Sequence, residues 1–125
     1  MEFYEFRKET GMHITMYESD FIMSRITRNQ TPTSIGVMHL DENGLIGYHQ
    51  ATKPQLLLIL SGEGYVCNES KEYYKVQPGV AVFWDKDEWH ETKTEHGVTA
   101  LVIESDEMNP SAYMAVAEKE SLKGC

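Results

Sequence analysis

The chain has 125 residues, 20 Asp+Glu against 11 Lys+Arg for a net charge of −9, and 41% hydrophobic residues. That length and composition predict one domain, residues 1–125, able to bury a core without disulfides. The negative charge, with no local Lys/Arg cluster to reverse it, excludes partners that are themselves polyanionic, namely nucleic acid and anionic membrane surfaces.

No segment approaches the roughly 20 consecutive apolar residues of a membrane span; the longest apolar run, Leu56-Leu57-Leu58-Ile59-Leu60, suits a buried strand. Met1 to Glu9 carry neither the basic start nor the apolar stretch and cleavage site of a signal peptide, which predicts a cytoplasmic protein. Cys67 and Cys125 are too few and too scattered for a disulfide framework or a metal knuckle.

In chain order, residues 12–17 and 21–27 are β-rich, and a strand over 34–40 runs into Asn43-Gly44, a turn signal of the type I′ kind. The clearest strand covers 55–60 and stops at Ser61-Gly62-Glu63-Gly64. Residues 65–68 and 72–76 form a hairpin across Glu69-Ser70-Lys71, and Gln77-Pro78-Gly79 makes the next turn. Strands over 80–84, 89–94 and 98–104 follow. Short strands recurring at this spacing signal a sandwich or barrel rather than alternating strands and helices. At the end, Asn109 suits a helix N-cap and Pro110 the first helical position. Ala112, Tyr113, Val116 and Ala117 share one face, so a short C-terminal α-helix over about 110–122 is expected.

Three strands are apolar on both faces. Leu57 and Ile59 oppose Leu56, Leu58 and Leu60; Val80, Val82 and Trp84 oppose Ala81 and Phe83; Val98, Ala100 and Val102 oppose Leu101 and Ile103. One face fills a barrel, and the other needs cover. The N-terminal strands and the C-terminal helix supply part of it and a second subunit the rest, so a homodimer is expected.

Of the five histidines, His13, His39, His49, His90 and His96, two stand out by setting. His49 precedes, and His90 follows, strands joined by Gly-rich turns, and antiparallel pairing brings such positions together across one barrel mouth. In His49-Gln50-Ala51-Thr52-Lys53-Pro54-Gln55, followed by six residues and Gly62, the spacing resembles the first motif of the cupins. Gly79, Asp85-Lys86-Asp87 and His90 fall at the intervals of their second motif. The resemblance covers roughly residues 35–105, with Leu60-Ser61-Gly62-Glu63-Gly64 and Val76-Gln77-Pro78-Gly79 also in the family's style. It implies a single all-β cupin-type barrel (a double-stranded β-helix, or jelly roll).

Carried over position by position, the family's metal ligands would be His49, Ala51, Gln55 and His90. Ala51 has no donor atom, and Gln55 offers a neutral carbonyl where the family has a carboxylate. A metal set of His49, Gln55 and His90 lacks a negative ligand, so the cofactor is either a weakly held divalent transition metal (Zn, Ni, Mn or Fe) or none. His39 or Cys67 could replace the missing donor if its face points inward. With the aromatic neighbours Tyr48 and Trp89, the set His49, Gln55 and His90 also suits a small, partly polar organic ligand. Residues 55–94 are similar to cupin-type sensing domains of sugar-responsive regulators, here without a helix-turn-helix. Two readings follow. One is a stand-alone small-molecule-binding cupin; the other is a small metal-dependent enzyme of dioxygenase or isomerase type using His49, Gln55 and His90.

Overall fold

In a computed structural model that describes residues 1–122, the apolar alternation draws the chain into strands. They are β1 (Glu2–Glu5), β2 (Met12–Ile14), β3 (Phe21–Met23), β4 (Thr33–Leu40), β5 (Leu45–Gln50), β6 (Gln55–Gly62), β7 (Gly64–Cys67), β8 (Tyr74–Val76), β9 (Val80–Trp84), β10 (Trp89–Lys93), β11 (Val98–Ser105) and β12 (Ala115–Val116). A six-stranded sheet has the order β12-β1-β9-β6-β11-β4, and a four-stranded sheet the order β5-β10-β7-β8. Strands β2 and β3 form a separate hairpin. Every pairing is antiparallel. The architecture is the all-β jelly roll expected.

The two-faced strands behave as their alternation requires. Leu57, Ile59, Val82, Trp84, Ala100 and Val102 of the large sheet pack against Val66, Tyr74 and Val76 of the small one, forming the barrel interior. On the opposite face, Leu56, Leu58, Ala81 and Ile103 are buried with Tyr4 and Met114, and Phe6, Ile26 and Met108 pack over them. The chain's two ends therefore supply the cover. Leu60 departs from the expected split because β6 carries one more residue than β11 where the register shifts between Thr99 and Ala100, which leaves Leu60 exposed.

The C-terminal α-helix expected over 110–122 is not formed among the described residues. Two 3-10 turns, Pro110–Ala112 and Lys119–Leu122, flank β12 instead. The reason lies in β1, which pairs with β9 along one edge and leaves the other edge open. Ala115 and Val116 pair with Glu5 and Tyr4 there, and the Ala117 amide donates to the Phe3 carbonyl at 3.0 Å. Asn109 makes no side-chain cap. Its Oδ1 instead accepts from the Thr27 hydroxyl and the Arg28 amide, tying down the N-terminal cover. The predicted end of that helix, Lys123-Gly124, and Cys125 lie outside the described residues.

The Asn43-Gly44 turn also differs from expectation. Only Asn43 takes positive φ, whereas a type I′ turn needs it at both central residues. The segment crosses from one sheet to the other, and backbone bonds from Asn43 to Glu95 and from Thr94 to Gly44 fix it. A true positive-φ requirement falls on Gly62 (φ 76), where an added Cβ would lie 2.2 Å from the Gly97 carbonyl oxygen. Gly62→Ala should therefore destabilise by about 2 kcal/mol or more. Gly47→Ala, with nothing within 4 Å of its Cβ position, should change stability by less than about 0.5 kcal/mol. Urea midpoints of the two variants check this, and equal effects would refute it.

Candidate functional site

Strands β5 and β10 pair antiparallel with His49 opposite His90. That register brings the rings together edge to face, centroids 4.4 Å apart and planes at 71°. His90 points into the barrel and is only 2% exposed. Its ring packs on Trp84 of the opposite sheet at 4.6 Å, and the Trp84 indole N–H donates to the Cys67 carbonyl at 3.2 Å, which fixes the platform. His49 lies at the solvent side of the pair. Its Nδ1 is 2.6 Å from the Gly47 carbonyl oxygen, which can only accept, so Nδ1–H donates there.

The buried imidazole is anomalous. Neither Nδ1 nor Nε2 of His90 has a hydrogen-bond partner of good geometry among the described residues, although the Glu88 backbone lies close enough to act on the ring. A buried polar atom left unpaired costs about 1–3 kcal/mol, so such a group is retained where something else engages it. Burial first, and then the neighbouring His49, push the His90 pKa down to about 4. At neutral pH the ring is uncharged, with one donor and one acceptor to offer.

Gln55, at the start of β6, lies beside Trp84 in the strand register and is 8% exposed. Its amide makes no hydrogen bond among the described residues. Ala51 is 4% exposed and clamped by two backbone bonds to the second motif, from its own N–H to Glu88 and from the Asp87 N–H to its carbonyl, each 2.9 Å. These bonds hold the segments carrying His49 and His90 in fixed relation. A methyl group occupies the position of the family's second histidine.

Neither proposed replacement reaches the site. His39 lies on the outer face of β4, flanked by Met38 and Leu40, which pack against the interior. Cys67 pairs in register with Glu91, not His90, and its thiol is buried under Tyr73 on the far face of the small sheet. Burial raises the thiol's pKa. Tyr48 and Trp89 also face away from the histidines. They stack on one another at 5.3 Å on the outer face, with Lys71 Nζ 3.4 Å above the Tyr48 ring. Period-two alternation accounts for this, since the strand neighbour of an inward residue points outward. The same rule identifies Trp84, in line with Val80 and Val82, as the aromatic that touches His90.

Glu88 was not marked by its spacing, yet it organises the second motif. Its carboxylate accepts from the Met1 amine at 2.5 Å, from Asn68 Nδ2 at 2.9 Å and from the Asp85 amide at 2.9 Å. Burial acts to raise its pKa, but these bonds outweigh it and the net shift is downward.

No protein-family model matches the sequence, and no curated protein matches it. Solved structures do. A cupin superfamily protein from Desulfitobacterium hafniense is 14% identical at TM-score 0.57, over 64% of this chain and 72% of that one. An RmlC-like cupin from Shewanella frigidimarina is 15% identical at TM-score 0.56, over 64% and 70%. The DMSP lyase DddQ from Ruegeria pomeroyi is 21% identical at TM-score 0.56, over 70% of this chain but 42% of that one. Two facing antiparallel sheets, two motifs in order and a histidine pair at the β5–β10 mouth define a cupin-fold protein. The particular form here is a small cupin-fold chain with a reduced polar set: two imidazoles and one amide.

That set does not suit a tightly held divalent ion. No group of three or more His, Cys, Asp or Glu side chains able to hold a metal occurs among the described residues. Stable first-row sites use three or four good donors, commonly with an anionic one.

The depressed His90 pKa carries a stability consequence. Between pH about 6.5 and about 4 the unfolded imidazole binds a proton and the folded one does not, so stability is full above that window and falls as pH drops through it. One proton contributes a slope of up to about 1.4 kcal/mol per pH unit. In chelator-treated protein, His90→Gln should flatten the unfolding free energy between pH 6.5 and 4. An unchanged slope would contradict the assignment.

Proposed function

We propose that this protein is a cupin that binds a small, uncharged, hydrogen-bonding organic molecule at the barrel mouth. His49, His90 and Gln55 supply the contacts. The observation that carries this reading is the buried His90 ring, whose nitrogens lack well-formed hydrogen bonds among the described residues, with Gln55 next to its Trp84 platform in the strand register. A hydroxyl- or amide-bearing ligand satisfies such groups reciprocally. Carboxylates and phosphates suit them poorly, because the buried His90 ring is uncharged at pH 7 and the chain carries −9. Any divalent metal held by two imidazoles and an amide would be weakly bound. The chain shares a fold with a lyase, but fold likeness at this identity supplies no reaction.

The test has two arms. Elemental analysis of untagged protein should find less than stoichiometric Zn, Ni, Mn or Fe, and a thermal-shift screen of sugars, polyols and amides should give a ligand that raises the melting temperature. That shift should vanish in His90→Ala and weaken about tenfold in apparent affinity in Gln55→Ala, the effect of one lost hydrogen bond. Stoichiometric metal lost in both His49→Ala and His90→Ala would replace this reading with the metal-dependent one.

Two further parts of the reading concern setting. The outer face of the large sheet keeps Ile35 at 64% and Val37 at 49% exposure, beside Leu101. We propose that a second copy covers this patch in a homodimer. Val37→Glu should then shift sedimentation from dimer to monomer while leaving the circular dichroism spectrum unchanged. A monomeric wild type would refute the dimer. A buried free thiol at Cys67 suits a reducing compartment, in keeping with a cytoplasmic place. No helix of the described residues is long and apolar enough to cross a membrane.

A further inference from the structure

A concavity that shares no residue with the histidine pair lies elsewhere on the molecule. A half-open cleft of about 890 Å³ is bounded by the segment from Thr10 to Met12, by residues 23–28, and by Ala112 and Tyr113. That volume is in the range of small-molecule sites, roughly 300–1,000 Å³. Its lining is mixed: Met12, Met23, Ile26 and Tyr113 are apolar, and Arg25 and Arg28 are cationic.

The polar groups of this cleft are not equivalent. The Thr10 and Ser24 hydroxyls donate to the Arg7 carbonyl, and that of Thr27 is bonded to Asn29 and Asn109, so these side chains stiffen the walls. Glu5, the one carboxylate at the rim, is paired with Arg7 at 3.4 Å. Neither Arg25 nor Arg28 enters an ion pair among the described residues. In a chain with 20 Asp+Glu and 11 Lys+Arg, carboxylate partners are plentiful, and two unpaired guanidiniums in one cleft are against expectation. All three arginines of the chain, Arg7, Arg25 and Arg28, are gathered at this end. The wall is closely packed at Gly11, where a Cβ would lie 2.5 Å from Ile22 Cγ2 and 2.9 Å from the Met23 carbonyl.

We infer that this cleft binds an amphipathic oxyanion, a carboxylate or phosphate head held by Arg25 and Arg28 with an apolar body against Met12, Met23, Ile26 and Tyr113. Guanidinium forks match both head groups bidentately, and thioether side chains adapt to irregular apolar bodies. The site shares no residue with the histidine pair and Gln55.

Decanoate and decyl phosphate, below their micelle concentrations, are the probes, with decanol and decylammonium as controls. Protein labelled with ¹³C-methyl methionine is the reporter. An anionic probe should shift the Met12 and Met23 methyl resonances saturably while leaving Met38, in the barrel interior, unmoved. Arg25→Gln with Arg28→Gln should weaken it at least tenfold. Both arginines are exposed, so this variant should retain the wild-type melting temperature. The comparison of the two anions identifies the preferred head group. Equal affinity for decanol, unchanged affinity in the double variant, shifts at Met38 in place of Met12 and Met23, or no binding of either anion would each overturn the inference.

Discussion

Burial of both faces of β6, β9 and β11 is the constraint on which the rest of the structure depends. A strand with Leu56, Leu57, Leu58 and Ile59 in succession, all essentially inaccessible, cannot present one side to water without a loss of about 1.5–3 kcal/mol per large side chain. The small sheet covers one side. The other must be covered by whatever chain remains, and only the ends are left. This explains why Phe6, Ile26, Met108 and Met114 converge on that outer face although they come from opposite ends of the chain. It also explains the strand β12. Once residues 108–114 lie across the sheet, the following residues run along the open edge of β1, where backbone pairing satisfies groups that a surface helix of this length would leave exposed.

The small sheet is released from that demand. It needs only its inner face, with Val66, Tyr74 and Val76, to close the barrel, and so its mouth can carry polar groups. His90 takes the most buried of these positions. Its cost is partly offset by the Trp84 ring, which gives an aromatic contact at 4.6 Å, but no described residue gives its nitrogens a well-formed hydrogen bond. Glu88 and Ala51 then determine where that ring stands. The first gathers three donors, the second joins the two motif segments through the backbone. The site is therefore rigid where it is supported and unsatisfied where it faces the mouth.

Much of this was legible beforehand, for a definite reason. Period-two alternation and turn residues are local, so the split of Leu57 and Ile59 from Leu56 and Leu58 could be read directly, as could the strand from Gln55, read to end at residue 60 and running on to Gly62. The pairing of His49 with His90 was legible through spacing that resembles a family. What was not legible depended on contacts between distant segments. Asn109 has the chemistry of a helix cap, but Thr27 and Arg28 claim its side chain. Tyr48 and Trp89 adjoin the histidines in sequence, and that adjacency places them on the opposite face. Leu60 is displaced by a bulge that only the β6–β11 register reveals. Arg25 and Arg28 carried no motif, and their lack of partners emerges only once every carboxylate has a position.

The charge distribution joins these observations. A protein with a surplus of nine negative charges repels anions at long range, yet short-range contacts within a Debye length of about 8 Å decide binding at physiological ionic strength. His90 adds no positive charge to oppose the global field, since desolvation and the neighbouring His49 hold it neutral. In the cleft, Arg25 and Arg28 enter no ion pair among the described residues, because Glu5 at its rim is taken by Arg7. The neutral ring of the one place and the unpaired guanidiniums of the other are thus set locally, by burial in the first case and by the pairing of Glu5 with Arg7 in the second.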